Sequence, residues 1–213
     1  MKLKNLAVIG CLAAFTAVPA NAAIITLDFE GVGNLNPVGN FYSGLGVVFS
    51  PATLAVVDFD AGGTGNIANE PSPDTVMFFL DANNAILDFA AGFMTGFSFF
   101  YTSSVAATVS VWDDVGGGGN LLGSINILAN AFTGPGTGDP NGSFANWDIG
   151  GVAFAGTAKS IDFGGTANQT AYDNITFGSA TPLPPIPVPA AFPLLLGALG
   201  GLAALRRRRR RAA

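Results

Sequence analysis

The chain has 213 residues, no histidine and a single cysteine, and its formal net charge of −5 hides a strong segregation. Between Ala23 and Pro185 there is one basic residue, Lys159, against 14 acidic ones. That imbalance excludes a nucleic-acid or anionic-membrane surface, which would require clustered Lys and Arg. The missing histidine and the position of Cys11 near the N-terminus exclude Ser-His or Cys-His nucleophilic catalysis and an imidazole metal site in the interior.

Residues 1–22 read as a secretory signal peptide: Lys2 and Lys4 form the charged start, Leu6–Val18 an apolar core, and Ala20-Asn21-Ala22 a small-residue cleavage box. Signal peptidase is the implied partner, and the mature chain is expected to begin at Ala23. Val8-Ile9-Gly10-Cys11 also fits the general form of a lipobox, but the apolar run continues past Cys11 to the cleavage box.

From 23 to 180 the chain predicts one all-β domain. Strands are expected at 24–30, 45–50, 54–59, 75–80, 85–89, 92–102, 105–113, 121–128, 144–149, 159–163 and 171–177. Each is a short β-branched or aromatic segment bounded by Gly, Asn, Pro or Ser. Val105, Ala107, Val109 and Val111 alternate onto one face, and Phe93, Phe97 and Phe99 share another. Gly116–Gly119 marks a loop. So many short strands in about 155 residues predict a β-sandwich of jelly-roll type.

With histidine absent, carboxylates are the most numerous acid–base groups in this domain. Asp28 with Glu30, Asp58 with Asp60, and Asp113 with Asp114 are the close pairs, and a glycosidase or lyase needs two such groups in distinct protonation states. Oxygen ligands also suit calcium. If the first and last strands are neighbours, Asp28, Glu30 and Asp173 would converge as ligands of a structural Ca2+. For sugar binding, an aromatic face beside polar groups is the usual requirement, which makes Trp112, Trp147 and Tyr172 the ligand-binding candidates, with Tyr42 and Tyr101 behind them.

The C-terminus has three parts. Residues 181–191 form a proline-rich stalk, with Pro182, Pro184, Pro185, Pro187 and Pro189 favouring extended chain. Residues 192–205 are apolar and would form a helix about 21 Å long at about 1.5 Å per residue. Residues 206–213 hold six arginines in succession, Arg206, Arg207, Arg208, Arg209, Arg210 and Arg211. An arginine block beside an apolar segment keeps that end cytoplasmic, while the signal peptide sends the domain outward.

A proline motif, a short hydrophobic helix and a terminal arginine block, in that order, resemble the PEP-CTERM sorting signal. Ile186, Pro187, Val188, Pro189 and Ala190 resemble its VPLPA variant, with Ile186 in place of Val and Val188 in place of Leu. The resemblance implies an exosortase partner, transient residence in the inner membrane through 192–205, and delivery to the cell surface or extracellular matrix of a Gram-negative bacterium. The segment from Gly92 onward also resembles jelly-roll modules of the carbohydrate-binding type. Thr95–Phe99, Thr108–Asp113, Ser160–Phe163 and Tyr172–Phe177 carry that likeness. It implies extracellular polysaccharide as a partner, and a calcium ion tying the first and last strands together. The resulting expectation is an exported, non-enzymatic β-sandwich that binds polysaccharide or calcium or is structural, the alternative being a carboxylate-based glycan-active enzyme.

Overall fold

The computed structural model describes residues 24–132 and 142–182. The signal peptide, the sorting motif at Ile186–Ala190, the apolar segment 192–205 and the arginines lie outside them. Among the described residues nine strands form one antiparallel network: β1 (Ile25–Leu27), β2 (Val47–Phe49), β3 (Leu54–Val57), β4 (Thr75–Phe78), β5 (Asn84–Ser103), β6 (Ala107–Trp112), β7 (Leu121–Ile127), β8 (Asp148–Gly164) and β9 (Thr170–Phe177). Within these residues no helix is long and apolar enough to cross a membrane.

Two long strands turn the network into a sandwich. The first part of β5 pairs with β2 and with residues 160–164 of β8, which in turn pair with β6, and β6 pairs with β7. The second part of β5 pairs with β9 and with residues 148–153 of β8, and β9 carries β1 and β4 on its other edge. β5 and β8 therefore each serve in both layers, bending between them. The bends fall at breaks in register around 89–95 of β5, where Gly92 and Thr95 take positive φ of 79° and 73°. The matching bend in β8 includes Gly156, at φ 95°. Bulges of this kind add twist and let one strand change layers.

The layers meet across an aromatic core. Phe163 on one layer packs edge-on against Phe97 and Phe99 of the other at 6.1 and 5.8 Å, and its ring centre lies 4.9 Å from that of Tyr172. Leu87, Val109, Val111, Ile161 and Ile175 fill the space around them, all fully buried. Edge-to-face aromatic pairs contribute about 0.5–1.5 kcal/mol each beyond the area they bury.

The fold class is the one the sequence predicts, an all-β jelly-roll sandwich, but several boundaries differ, and residues 148–149 and 159–163, expected in separate strands, belong to the single strand β8. The segments expected as separate strands at 85–89 and 92–102 are one continuous strand. Phe144–Trp147, expected as strand, is irregular chain laid over the outer face, and β8 begins at Asp148.

Candidate functional site

A second, smaller hydrophobic cluster lies on the outer side of the β3–β4–β9 layer. Val56, Ile67, Val76, Phe78 and Ala171 form it, with Leu54, Phe144 and Trp147 packed against them. It exists because two loops cross the sheet there and are joined to each other by backbone. The Phe144 N–H donates to the Asn66 carbonyl at 2.9 Å, and the Ala68 N–H to the Phe144 carbonyl at 3.2 Å. The Trp147 indole N–H donates to the Ala68 carbonyl at 3.0 Å, and the Asn69 side chain to the Ala145 carbonyl at 3.1 Å.

Between these loops and the sheet lies a cleft of about 240 Å³. Val56, Ile67, Phe78, Leu80, Phe144 and Ala171 give it apolar surface, and Thr64, Asn66, Asn168 and Thr170 are the polar side chains at its edge. The two threonines are tied inward: Thr64 exchanges hydrogen bonds with Asn34 at 3.1 and 3.2 Å, and Thr170 bonds Ser103 at 2.8 Å. Asn66 and Asn168 are exposed, and among the described residues their side-chain amides make no hydrogen bond. Asn168 sits at φ 56° with its own N–H given to the Phe79 carbonyl at 2.8 Å, so backbone geometry fixes where its amide starts. The loop that carries Thr64–Ile67 approaches β3 closely. A Cβ on Gly63 would stand 2.1 Å from the Val57 carbonyl oxygen, so only glycine fits.

The aromatic residues singled out from sequence have other duties. Tyr172 is wholly buried between Phe99 and Phe163, and its hydroxyl donates to the Gly164 carbonyl; it is a core residue, which rules it out as a binding platform. Tyr42 is buried too, and its hydroxyl accepts the Phe29 N–H at 2.7 Å. The Tyr101 hydroxyl accepts the Leu128 N–H at 3.4 Å. Burial pushes all three phenols above their ordinary pKa. Trp112 is half-buried on β6, opposite Ser160 and Leu121, in the layer away from the cleft. Trp147 lies against the cluster that floors the cleft, without lining it. The aromatic groups that do line it are Phe78 and Phe144, which sequence reasoning confined to Trp and Tyr overlooked.

The acids proposed for calcium are drawn toward one another, because β1 does pair with β9, Leu27 facing Ile175. Several of their oxygens accept hydrogen bonds from neighbouring groups. Glu30 accepts the N–H groups of Asp74 and Thr75, each at 2.9 Å, and Asp28 accepts the Glu30 N–H at 3.3 Å. Asp173 is fully buried and accepts the N–H groups of Ser72 and Asn174 at 2.7 and 2.6 Å. Burial, opposed by those hydrogen bonds and reinforced by the Glu30 charge, raises its pKa to about 7. Among the described residues no group of three or more acids is placed to hold a metal ion.

Three of the four remaining paired acids accept backbone N–H groups at turns. Asp113 accepts from the Asn120 backbone and side chain at 2.7 and 2.8 Å, which lowers its pKa, and Asp114 accepts the Val115 N–H at 2.9 Å. Asp58, 2 % exposed, accepts the Phe59 N–H at 2.7 Å at the root of the loop that walls the cleft. Its burial, with the facing Asp60 carboxyl and the charge of Glu70, raises its pKa to about 7. No charged side chain lines the cleft among the described residues.

No family model and no curated protein matches the chain. Solved structures with some likeness include the carbohydrate-binding module CBM6cm-2 from Cellvibrio mixtus lichenase 5A, in complex with cellotriose. It is 15 % identical with a TM-score of 0.37, over 60 % of this chain and 87 % of that one. TmCBM61 in complex with β-1,4-galactotriose is 13 % identical with a TM-score of 0.37, over 68 % and 97 %. The family 11 module of the Clostridium thermocellum cellulase Lic26A-Cel5E is 11 % identical with a TM-score of 0.33, over 74 % and 95 %. Likeness at this level bears on neither a ligand nor a site.

Proposed function

We propose that this chain is an exported, exosortase-sorted surface or matrix protein whose β-sandwich binds polysaccharide without acting on it. The observation that carries the binding half is the cleft. Two phenylalanines and aliphatic side chains offer the apolar surface that a sugar ring's C–H face packs on, and the amides of Asn66 and Asn168 stand at its rim for hydroxyl groups. Hydrolysis would call for two carboxyl groups flanking a bound sugar, whereas the acids here hold loops and strand ends. The sorting half rests on sequence: the signal peptide, the Ile186–Ala190 motif and the arginine block agree on one topology.

Affinity electrophoresis through gels containing polysaccharide tests the first half. Retardation with no release of soluble sugar supports it, and release of product overturns it in favour of a glycan-active enzyme. Intact mass of the protein recovered from host cells with and without the exosortase tests the second. Loss of everything after the proline motif is the expected result, and six arginines retained on the secreted protein would refute sorting.

A further inference from the structure

We infer that the cleft selects uncharged sugar residues and turns away glycans bearing uronate, sulfate or phosphate. This rests on the polysaccharide reading and adds the class of ligand to it.

The first reason is the lining itself. The polar groups in the cleft are amides and hydroxyls, and among the described residues no cationic side chain lines it. An anionic group entering such a place would lose water without gaining a charged partner, the costly case for a buried ion. Sites that take carboxylates, sulfates or phosphates supply Arg or Lys for that purpose.

The second reason is what surrounds it. The described residues contain one cation, Lys159, and it stands on β8 with its ammonium 4.0 Å from Asp114, among residues that do not line the cleft. The loop that walls the cleft at Thr64–Ile67 is bounded by acids on both sides, Asp58 and Asp60 before it and Glu70 and Asp74 after it. With 14 acidic residues against one lysine between 23 and 185, the field over the whole domain opposes an approaching polyanion. Repulsion and the missing partner act in the same direction.

Size narrows the class further. A cleft of about 240 Å³ is smaller than the roughly 300–1,000 Å³ of sites that engulf drug-sized ligands. It suits one or two sugar rings of a chain, so a charge on the bound ring would stand close to the uncharged lining.

The experiment is affinity electrophoresis and calorimetry of the purified protein against neutral polymers (a mixed-linkage glucan, a β-1,4-xylan, a β-1,4-galactan) and acidic ones (polygalacturonate, alginate), at low and high salt. Asn66→Lys is run beside the wild type, since it places a cation at the rim on an exposed residue. The expected result is binding to at least one neutral polymer, at least tenfold weaker binding to every acidic one, and a tenfold or greater gain for acidic polymers in the variant. Acidic polymers held as tightly as neutral ones by the wild type would overturn the selectivity and leave the polysaccharide reading standing. Failure of Asn66→Lys to gain acidic binding would overturn the argument from the missing cation. Retention of no polymer of either class would overturn the polysaccharide reading itself.

Discussion

Replacing Asp58 with asparagine isolates the energetic cost of ionising one buried acid. The carboxyl is 2 % exposed, faces Asp60 and feels Glu70, and it titrates near pH 7 in place of an ordinary 3.8. A folded-state pKa above the unfolded one means the folded chain binds more protons, so stability is fullest below about pH 4 and falls as pH rises through about 7. At about 1.4 kcal/mol for each tenfold in proton affinity, the whole effect is on the order of 4 kcal/mol, of which about 2–3 kcal/mol is lost between pH 5 and pH 8. Asparagine is neutral, is nearly the same shape, and keeps an oxygen to accept the Phe59 N–H. Urea unfolding of wild type and Asp58→Asn at pH 5, 6, 7 and 8 is the assay. The wild type should lose stability across that range, and the variant should lose about 2–3 kcal/mol less, retaining only the fall contributed by Asp173, whose folded pKa is also about 7. Parallel pH curves for the two proteins would refute the reasoning.

Three further outcomes follow from the packing. Phe163→Ala removes the ring that joins the two layers through Phe97, Phe99 and Tyr172 and should cost about 3–5 kcal/mol in denaturant unfolding. Tyr172→Phe leaves the Gly164 carbonyl without its donor and should lower stability by about 1–2 kcal/mol while leaving glycan affinity unchanged, as befits a core residue. Gly151→Ala would put a methyl 1.9 Å from the Ala180 carbonyl oxygen, so residues 178–182 must shift, and the Gly178 amide, which donates to Gly96 at 2.9 Å, should exchange its hydrogen faster.

The strands were largely legible in the sequence, and the places where they were not share a cause. Gly92 was expected to open a strand, and Gly150, Gly151 and Gly156 fall in the gap between the strands expected at 144–149 and 159–163, yet each lies inside a strand. Gly92 and Gly156 stand where β5 and β8 bend between layers, while Gly150 lies beneath the Phe99 ring, which a Cβ would approach to 2.3 Å. A glycine demanded by close packing looks in one dimension like a glycine that ends a strand. The partnership of β1 with β9, a condition of the calcium expectation, is met, and it brings Asp28, Glu30 and Asp173 toward one end of the sheet. What each carboxyl accepts there depends on the path of residues 72–75, which no local pattern encodes. The cleft escaped notice for a similar reason. Phe78 and Phe144 are 66 positions apart, and phenylalanine in a β-rich chain reads as core until a loop is seen crossing the sheet beside it. Charge placement, by contrast, was fully visible: the lone interior lysine and the 14 acids spoke against a nucleic-acid or anionic-membrane surface before any fold was known.

The central claim is that this cleft binds sugar, and it is tested most directly by calorimetry of the double variant Asn66→Ala/Phe144→Leu against the wild type, with the neutral polymer the wild type retains best. One of the two exposed amides and one of the two lining aromatic rings are removed, Asn168 and Phe78 remaining, while the sandwich core is untouched. Wild-type binding reduced at least tenfold in the variant, with an unchanged far-ultraviolet spectrum, is the predicted result; equal affinity in the two proteins would contradict it.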